Sequence, residues 1–394
     1  MSEVSNKIKK SILGLFILSL VTVSLASCDR PHIGGSETNA IAGVLEVKST
    51  AFLVVPNKDR VDVLDMQTNR VTQSLQTDQK PTSIAVSNDR RLVLVTNSGS
   101  GTVSVFLRRD NDTFQQLNSI GSGVRPVGIA FNPNPTISEA YVAYEGDSKI
   151  LVLDTSNKSA SPRITKVLSL QGATPKRMVV SPDGSKIYVT DSTNAQLLIL
   201  TRTGNNFSRN QISLSPTSNN TGANGITNLE GLAIDLAGNV YIANNSADSV
   251  LVVNAQGNSL SQTISLKDNQ LVGSNQVGPR NMTIYKNPNT GTETLYVAGY
   301  NASVVSVIDV KTARLIKNIP LTQSSQGRDS YNPVGVAVGT LSSKDDVIYV
   351  TNSSGLTLSL IDPANNTLKR NLSTTISSAD QQPLGDIVTV GAVK

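Results

Sequence analysis

Ile187-Tyr188-Val189-Thr190-Asp191 is a five-residue run of β-branched and aromatic side chains ending on a turn former, and the chain repeats it. The phrase returns as Leu94-Val95-Thr96-Asn97, Tyr241-Ile242-Ala243-Asn244, Tyr296-Val297-Ala298-Gly299 and Tyr349-Val350-Thr351-Asn352. Looser copies are Val54-Val55-Pro56-Asn57 and Tyr141-Val142-Ala143-Tyr144. The seven copies end at positions 57, 97, 144, 191, 244, 299 and 352. A period of about 40–50 residues made of short strands is the mark of a β-propeller. The sequence therefore predicts an all-β, seven-bladed propeller over residues 51–394.

The fourth repeat shows the order within one blade. Arg177 to Val180 reads as an inner strand, and Ser181-Pro182-Asp183-Gly184-Ser185 as a hairpin turn. Pro fixes φ in that turn and Gly supplies a positive φ. Lys186 to Thr190 is the second strand, Gln196 to Thr201 the third, and Gln211 to Leu214 an outer strand. Elsewhere the loop leading into the inner strand usually carries Pro, at 81, 126, 279, 333 and 383. The domain starts on a second-type strand, Phe52 to Val55, and ends on an inner-type strand, Pro383 to Val390. Placing that last strand inside the first blade completes seven blades and closes the ring without free edges.

Ahead of the propeller lies a targeting pattern. Lys7, Lys9 and Lys10 precede the mostly apolar run Ser11 to Leu25, which is short for a membrane span. Leu25-Ala26-Ser27-Cys28 follows and resembles a bacterial lipobox, with Cys28 as the lipidated mature N-terminus. Residues 1–27 are thus expected to be a lipoprotein signal peptide, and 28–50 the lipidated cysteine and a polar tether holding His32. Cys28 is the only cysteine, so no internal disulfide forms. Multiple acyl chains would anchor the protein stably to a membrane, at the bacterial cell envelope.

Composition narrows the function. Removing residues 1–27 takes away three Lys and Glu3, leaving 31 basic against 28 acidic residues. That near balance, with 4% aromatic residues, lacks the basic groove and stacking aromatics of a nucleic-acid binder. With the sole His in the tether, the propeller has no His-based acid–base catalyst, and it has no Cys nucleophile or CxxCH haem site. No DxDxDG calcium loop or glycine-rich phosphate loop is present.

In a propeller, the lead-ins to inner strands and the loops after second strands share one end of the ring, here called the upper face. The repeat register brings Lys80, Arg125, Lys176, Arg177, Glu230, Arg280 and Asp386 there from the lead-ins. It brings Tyr144, Glu145, Asp191, Asn245 and Tyr300 from the second-strand exits. The recurrent Asn57, Asn97, Asn244 and Asn352 are expected to be turn devices, since most blades fill that place alike. The long polar loops 215–229, 267–279 and 322–332 also fall on this end, where binding usually resides. Arg beside Tyr suits an anionic or peptide ligand, through forked hydrogen bonds and stacking.

Tyr188-Val189-Thr190-Asp191, Tyr349-Val350-Thr351-Asn352, the Pro-Val-Gly segments at 126–128 and 333–335, and Ser181-Pro182-Asp183-Gly184 together resemble the YVTN-type β-propellers, seven-bladed envelope proteins of bacteria and archaea. The resemblance covers nearly all of residues 51–394. It implies the fold and, less narrowly, a binding protein, a lactonase or a quinone- or haem-linked enzyme. Quinone-dependent propellers commonly stack the cofactor on Trp, which is absent here. Calcium-dependent lactonase propellers place carboxylates and Asn around the channel, and Glu145, Asp191 and Asn245, with Glu230, are the residues such a resemblance would use. The expectation is a monomeric, non-catalytic scaffold without a cofactor, binding an envelope protein, peptide or surface polymer. The alternative is a Ca²⁺-dependent lactonase-like hydrolase, with single-stranded nucleic-acid binding a more distant one.

Overall fold

The computed structural model describes residues 49–121, 123–214, 226, 228–255, 259–268, 276–321, 331–340, 345–354, 357–373 and 384–390. The predicted signal peptide, Cys28 and His32 lie outside these residues, as does most of each long loop. Twenty-eight strands run from β1 (Thr50–Val55) to β28 (Ile387–Val390), with two single-turn 3₁₀ segments between them. They form seven four-stranded antiparallel sheets. Six sheets are consecutive in the chain. The first is ordered β28, β1, β2 (Arg60–Asp65), β3 (Arg70–Gln76), so the last strand supplies its inner edge as predicted. β28 pairs with β1 from Leu53↔Ile387 to Thr50↔Val390.

The repeated phrase lies on the second strand of each blade, and each of its positions has its own duty. Tyr141, Tyr188, Tyr241, Tyr296 and Tyr349 are essentially fully buried. Removing each ring from water stabilises the fold by about 2 kcal/mol. A buried phenol also seeks a partner, and several reach into the next blade. Tyr241 donates to the Val310 carbonyl at 3.4 Å and to Asp235 at 3.2 Å. Tyr296 donates to Asn366 at 2.5 Å. The apolar residues beside them build seven hydrophobic slabs, one between each pair of adjacent blades. The core is therefore a ring of blade-to-blade contacts.

The Thr of the phrase answers a local defect. In six blades the register shifts just after the inner strand begins, for example between Pro81 and Ser83 and between Pro333 and Gly335. Such a bulge frees a backbone N–H. Thr96, Thr190 and Thr351 each accept it on Oγ1, from Ser83 at 3.0 Å, Arg177 at 3.1 Å and Gly335 at 2.9 Å. The residue before the inner-strand Pro is left-handed in four blades: Lys80 (φ +53°), Arg125 (+57°), Gly278 (+64°) and Asn332 (+47°). Three of these are not glycine, so the ring spends backbone strain to aim each lead-in.

One repeat is shifted from the sequence reading. Val55 pairs with Arg60 as Asn97 pairs with Thr102, so Val55 takes the final place of the phrase in the first blade. Asn57 sits instead in the 3₁₀ turn Pro56–Lys58. A Pro inside the phrase hid the true register.

Candidate functional site

Side chains cross the channel at the level of the third inner-strand position. Ser83, Gly128, Arg177, Gly231, Asn281, Gly335 and Asp386 occupy it, one per blade. Asp386 is 7% exposed and accepts hydrogen bonds from Ser83 Oγ and Asn281 Nδ2, both at 2.9 Å. The Arg177 guanidinium lies 3.7 Å from the same carboxylate and donates to the Val127 carbonyl at 3.2 Å. One carboxylate thus ties blades 1, 2, 4 and 6. Glycine is needed where inner strands of adjacent blades approach closely: at Gly231 a Cβ would come within 2.3 Å of the Arg280 carbonyl.

Around this plug the upper face is pinned by side chains that grip the neighbouring blade. Thr82 donates to the Pro126 carbonyl at 3.1 Å, Ser192 to Leu229 at 3.0 Å and Thr351 to Gly385 at 2.6 Å. Asn245 Nδ2 donates to the Pro279 carbonyl at 3.1 Å, and Asn332 Nδ2 to that of Tyr300 at 2.9 Å.

The predicted face residues fall into three groups. Glu145, Arg125 and Lys176 come together. Glu145 is bridged by Arg125 at 2.5 Å and by Lys176 at 2.8 Å, across two blades. Burial alone would push the Glu145 carboxyl up, but the two cations outweigh it and hold it below its ordinary value. Arg125 remains 57% exposed, so the cluster is open on one side. Arg280 and Tyr300 form the second pair. The guanidinium carbon stands 3.9 Å from the ring centroid, in a cation–π contact. Lys80 is exposed, and Glu230 is half-buried on the lead-in of the blade before Arg280.

The third group is buried, which the repeat register alone did not show. Tyr144 has no exposed surface and sits in the slab between the second and third blades, with Lys149 over its ring at 5.1 Å. Burial pushes its phenol up to about 12. Asp191 is also fully buried. It accepts from the backbone N–H groups of Thr174 and Thr193 and from Asn194 Nδ2. Asn97 and Asn352 are spent on hydroxyls of the third strand, Thr102 with Ser104 and Thr357 with Ser359. The final position of the phrase therefore points into the blade.

Glu145, Asp191 and Asn245 fit a calcium ion poorly as a donor set. Two cations hold the first, turn amides hold the second, and the Oδ1 of the third faces Asn228 Nδ2 at 3.4 Å. No three Asp, Glu, His or Cys side chains gather as a metal site among the described residues. Sequence reasoning placed Asp386 on a lead-in but gave no hint of its cross-channel partners, because the residues it joins are up to 303 positions apart.

A closed seven-bladed ring with a polar plug and a mixed-charge upper face defines the class. The chain belongs to the lactonase, seven-bladed β-propeller family, whose model matches residues 46–322. No curated protein sequence matches it. Among solved structures it is similar to a functionally unknown protein of Desulfotomaculum acetoxidans, with TM-score 0.64 and 11% identity, over 87% of this chain and 99% of that one. It is similar to apo AztD of Citrobacter koseri, with TM-score 0.60 and 14% identity, over 88% and 100%. It is also similar to virginiamycin B lyase of Staphylococcus aureus, with TM-score 0.55 and 10% identity, over 77% and 92%. At these identities the likeness is one of fold.

Proposed function

We propose that the chain is a non-catalytic binding propeller, held at the bacterial envelope by a lipid on Cys28 and docking a protein, peptide or surface polymer on its upper face. One observation carries the reading. The carboxylates that a hydrolytic site would need at the channel mouth are already engaged by the chain itself: Asp386 by Ser83, Asn281 and Arg177, and Glu145 by Arg125 and Lys176. What the face offers outward is cationic and aromatic: Lys80, Arg125, Lys176 and the Arg280–Tyr300 pair. Rigid side chains of this kind are frequent anchors at interfaces.

The test is crosslinking of the full-length protein in intact cells, followed by purification and mass spectrometry. The control carries Lys80→Glu, Arg125→Glu and Arg280→Glu. The reading expects one dominant partner, lost in the control. Equal capture by the control would move the site off this face. A second reading, a lactone hydrolase assisted by Ca²⁺, is favoured by the family match over residues 46–322. It expects lactone ring opening by the purified protein and a rise in melting temperature on adding calcium. Absence of both would remove it.

A further inference from the structure

We propose that the Arg280–Tyr300 pair is a preformed seat for a carboxylate group of the docked ligand; this rests on the docking reading above and names the chemistry of its anchor. Three observations converge on the pair. The first is its geometry. The Arg280 guanidinium carbon stands 3.9 Å from the Tyr300 ring centroid, so the ring covers one side of the guanidinium and limits its freedom. A fixed planar fork matches the two oxygens of a carboxylate.

The second is the fork's lack of an anion. Arg280 makes no ion pair among the described residues, and its Nε is buried without a hydrogen-bond partner there. Apart from the exposed Lys80, its cationic counterparts on the same face differ. Arg125 and Lys176 share Glu145, Arg177 reaches Asp386, and Lys267 reaches Asp248 at 3.3 Å. Glu230, on the neighbouring lead-in, is half-buried and forms no ion pair with Arg280. With Nε covered, the terminal nitrogens of this half-buried side chain are what an incoming oxyanion would meet.

The third is support from both sides. Asn245 of the fifth blade holds the Pro279 carbonyl beside Arg280, and Asn332 of the seventh holds the Tyr300 carbonyl. The Tyr300 N–H also donates to the Gly278 carbonyl at 3.0 Å. The backbone on which both side chains stand is thus held in place, which lowers the entropic cost of binding. Nothing equivalent exists at the other Arg–Tyr pair in the sequence: Tyr144 is buried and Arg125 is turned to Glu145.

The experiment uses the purified full chain, ¹⁵N-labelled at arginine, with the dye-labelled peptide N-acetyl-Glu-Glu-amide as probe. The Arg280 Nε resonance, assigned by its loss in Arg280→Lys, is expected to shift saturably with the peptide and to stay put with sodium chloride of equal ionic strength. Anisotropy is expected to show binding weakened about tenfold or more in Arg280→Lys, because an ammonium keeps the charge but not the fork. Tyr300→Phe keeps the stack and the affinity, whereas Tyr300→Ala loses the orientation and weakens binding. An unmoved Arg280 resonance, or full binding by Arg280→Lys, overturns the proposal. An equal shift with inorganic phosphate overturns the carboxylate assignment. The two readings fail separately. A silent Arg280 alongside a partner still lost in the charge-reversed cells leaves the docking face standing without this seat.

Discussion

Asp386, just before the last strand, accepts a hydrogen bond at 2.9 Å from Asn281, two blades away across the closing seam. Its other oxygen faces Ser83 and Arg177. Asp386→Ala would leave the half-buried Arg177 without its counter-charge and three donors, Ser83 Oγ, Asn281 Nδ2 and the Ile387 N–H, without an acceptor. Removing one partner of such a pair typically costs about 3 kcal/mol or more. We expect Asp386→Ala to lower the unfolding free energy by about that amount in urea titration, and Asp386→Asn by clearly less. An Ala variant as stable as the parent would show the plug to be ornamental.

The closing strand itself should be indispensable. Without residues 383–394, β1 has an open edge and the slab containing Leu384 and Ile387 is exposed. Exposed strand edges invite aggregation. The truncated protein is expected to aggregate or to lose its cooperative melt, as read by size-exclusion chromatography and calorimetry. A monomeric, cooperative melt like the parent's would refute the closure.

Thr351 serves two blades through one hydroxyl, accepting from the Gly335 N–H at 2.9 Å and donating to the Gly385 carbonyl at 2.6 Å. Thr351→Val keeps the shape and removes both bonds. Two backbone groups then lose their partners, at a cost of about 2 kcal/mol. Amide exchange should rise first at Gly335, on the seventh blade. Unchanged protection there would mean that another group takes over the bond.

Acid should loosen the Arg125–Glu145–Lys176 cluster. The Glu145 carboxyl is held below its ordinary value of 4.5 in the folded state. Its contribution is therefore complete above the unfolded value and is lost as pH falls through the lower folded one. Because Arg125 is largely exposed, solvent screening limits the effect to about 1 kcal/mol. Glu145→Gln should melt lower at pH 7 and converge with the parent as pH falls through the lowered folded value. Parallel melting curves from pH 7 to pH 3 would remove Glu145 as a source of stability.

Much of this was legible in the sequence, because a propeller writes its fold locally. Tyr recurs in five of the seven copies of the phrase and Thr in three, and Pro begins the inner strand of five blades. The site was less legible for two physical reasons. The register gives the end of the ring but not the direction of a side chain, so Tyr144 and Asp191 were expected outward and lie inward. Asp386 meets Asn281, Ser83 and Arg177 only because the ring closes, and no local pattern encodes a contact across a channel. Arg280–Tyr300 and Arg125–Tyr144 read alike as text and differ only in three dimensions, where Tyr144 turns into the blade.

The phenol groups that reach from one blade to the next have a consequence for how the molecule fails. A linear array of repeats melts from its ends, each unit lending stability only to its neighbours. Here every blade has two neighbours, and a carboxylate joins blades that do not touch by sequence. There is no terminal unit at which fraying starts. Damage at one seam, such as Tyr241 losing Val310 or Asp386 losing Arg177, is therefore felt around the whole circumference. The ring should unfold as one cooperative body, and a protease that nicks a single inter-blade loop should leave it assembled.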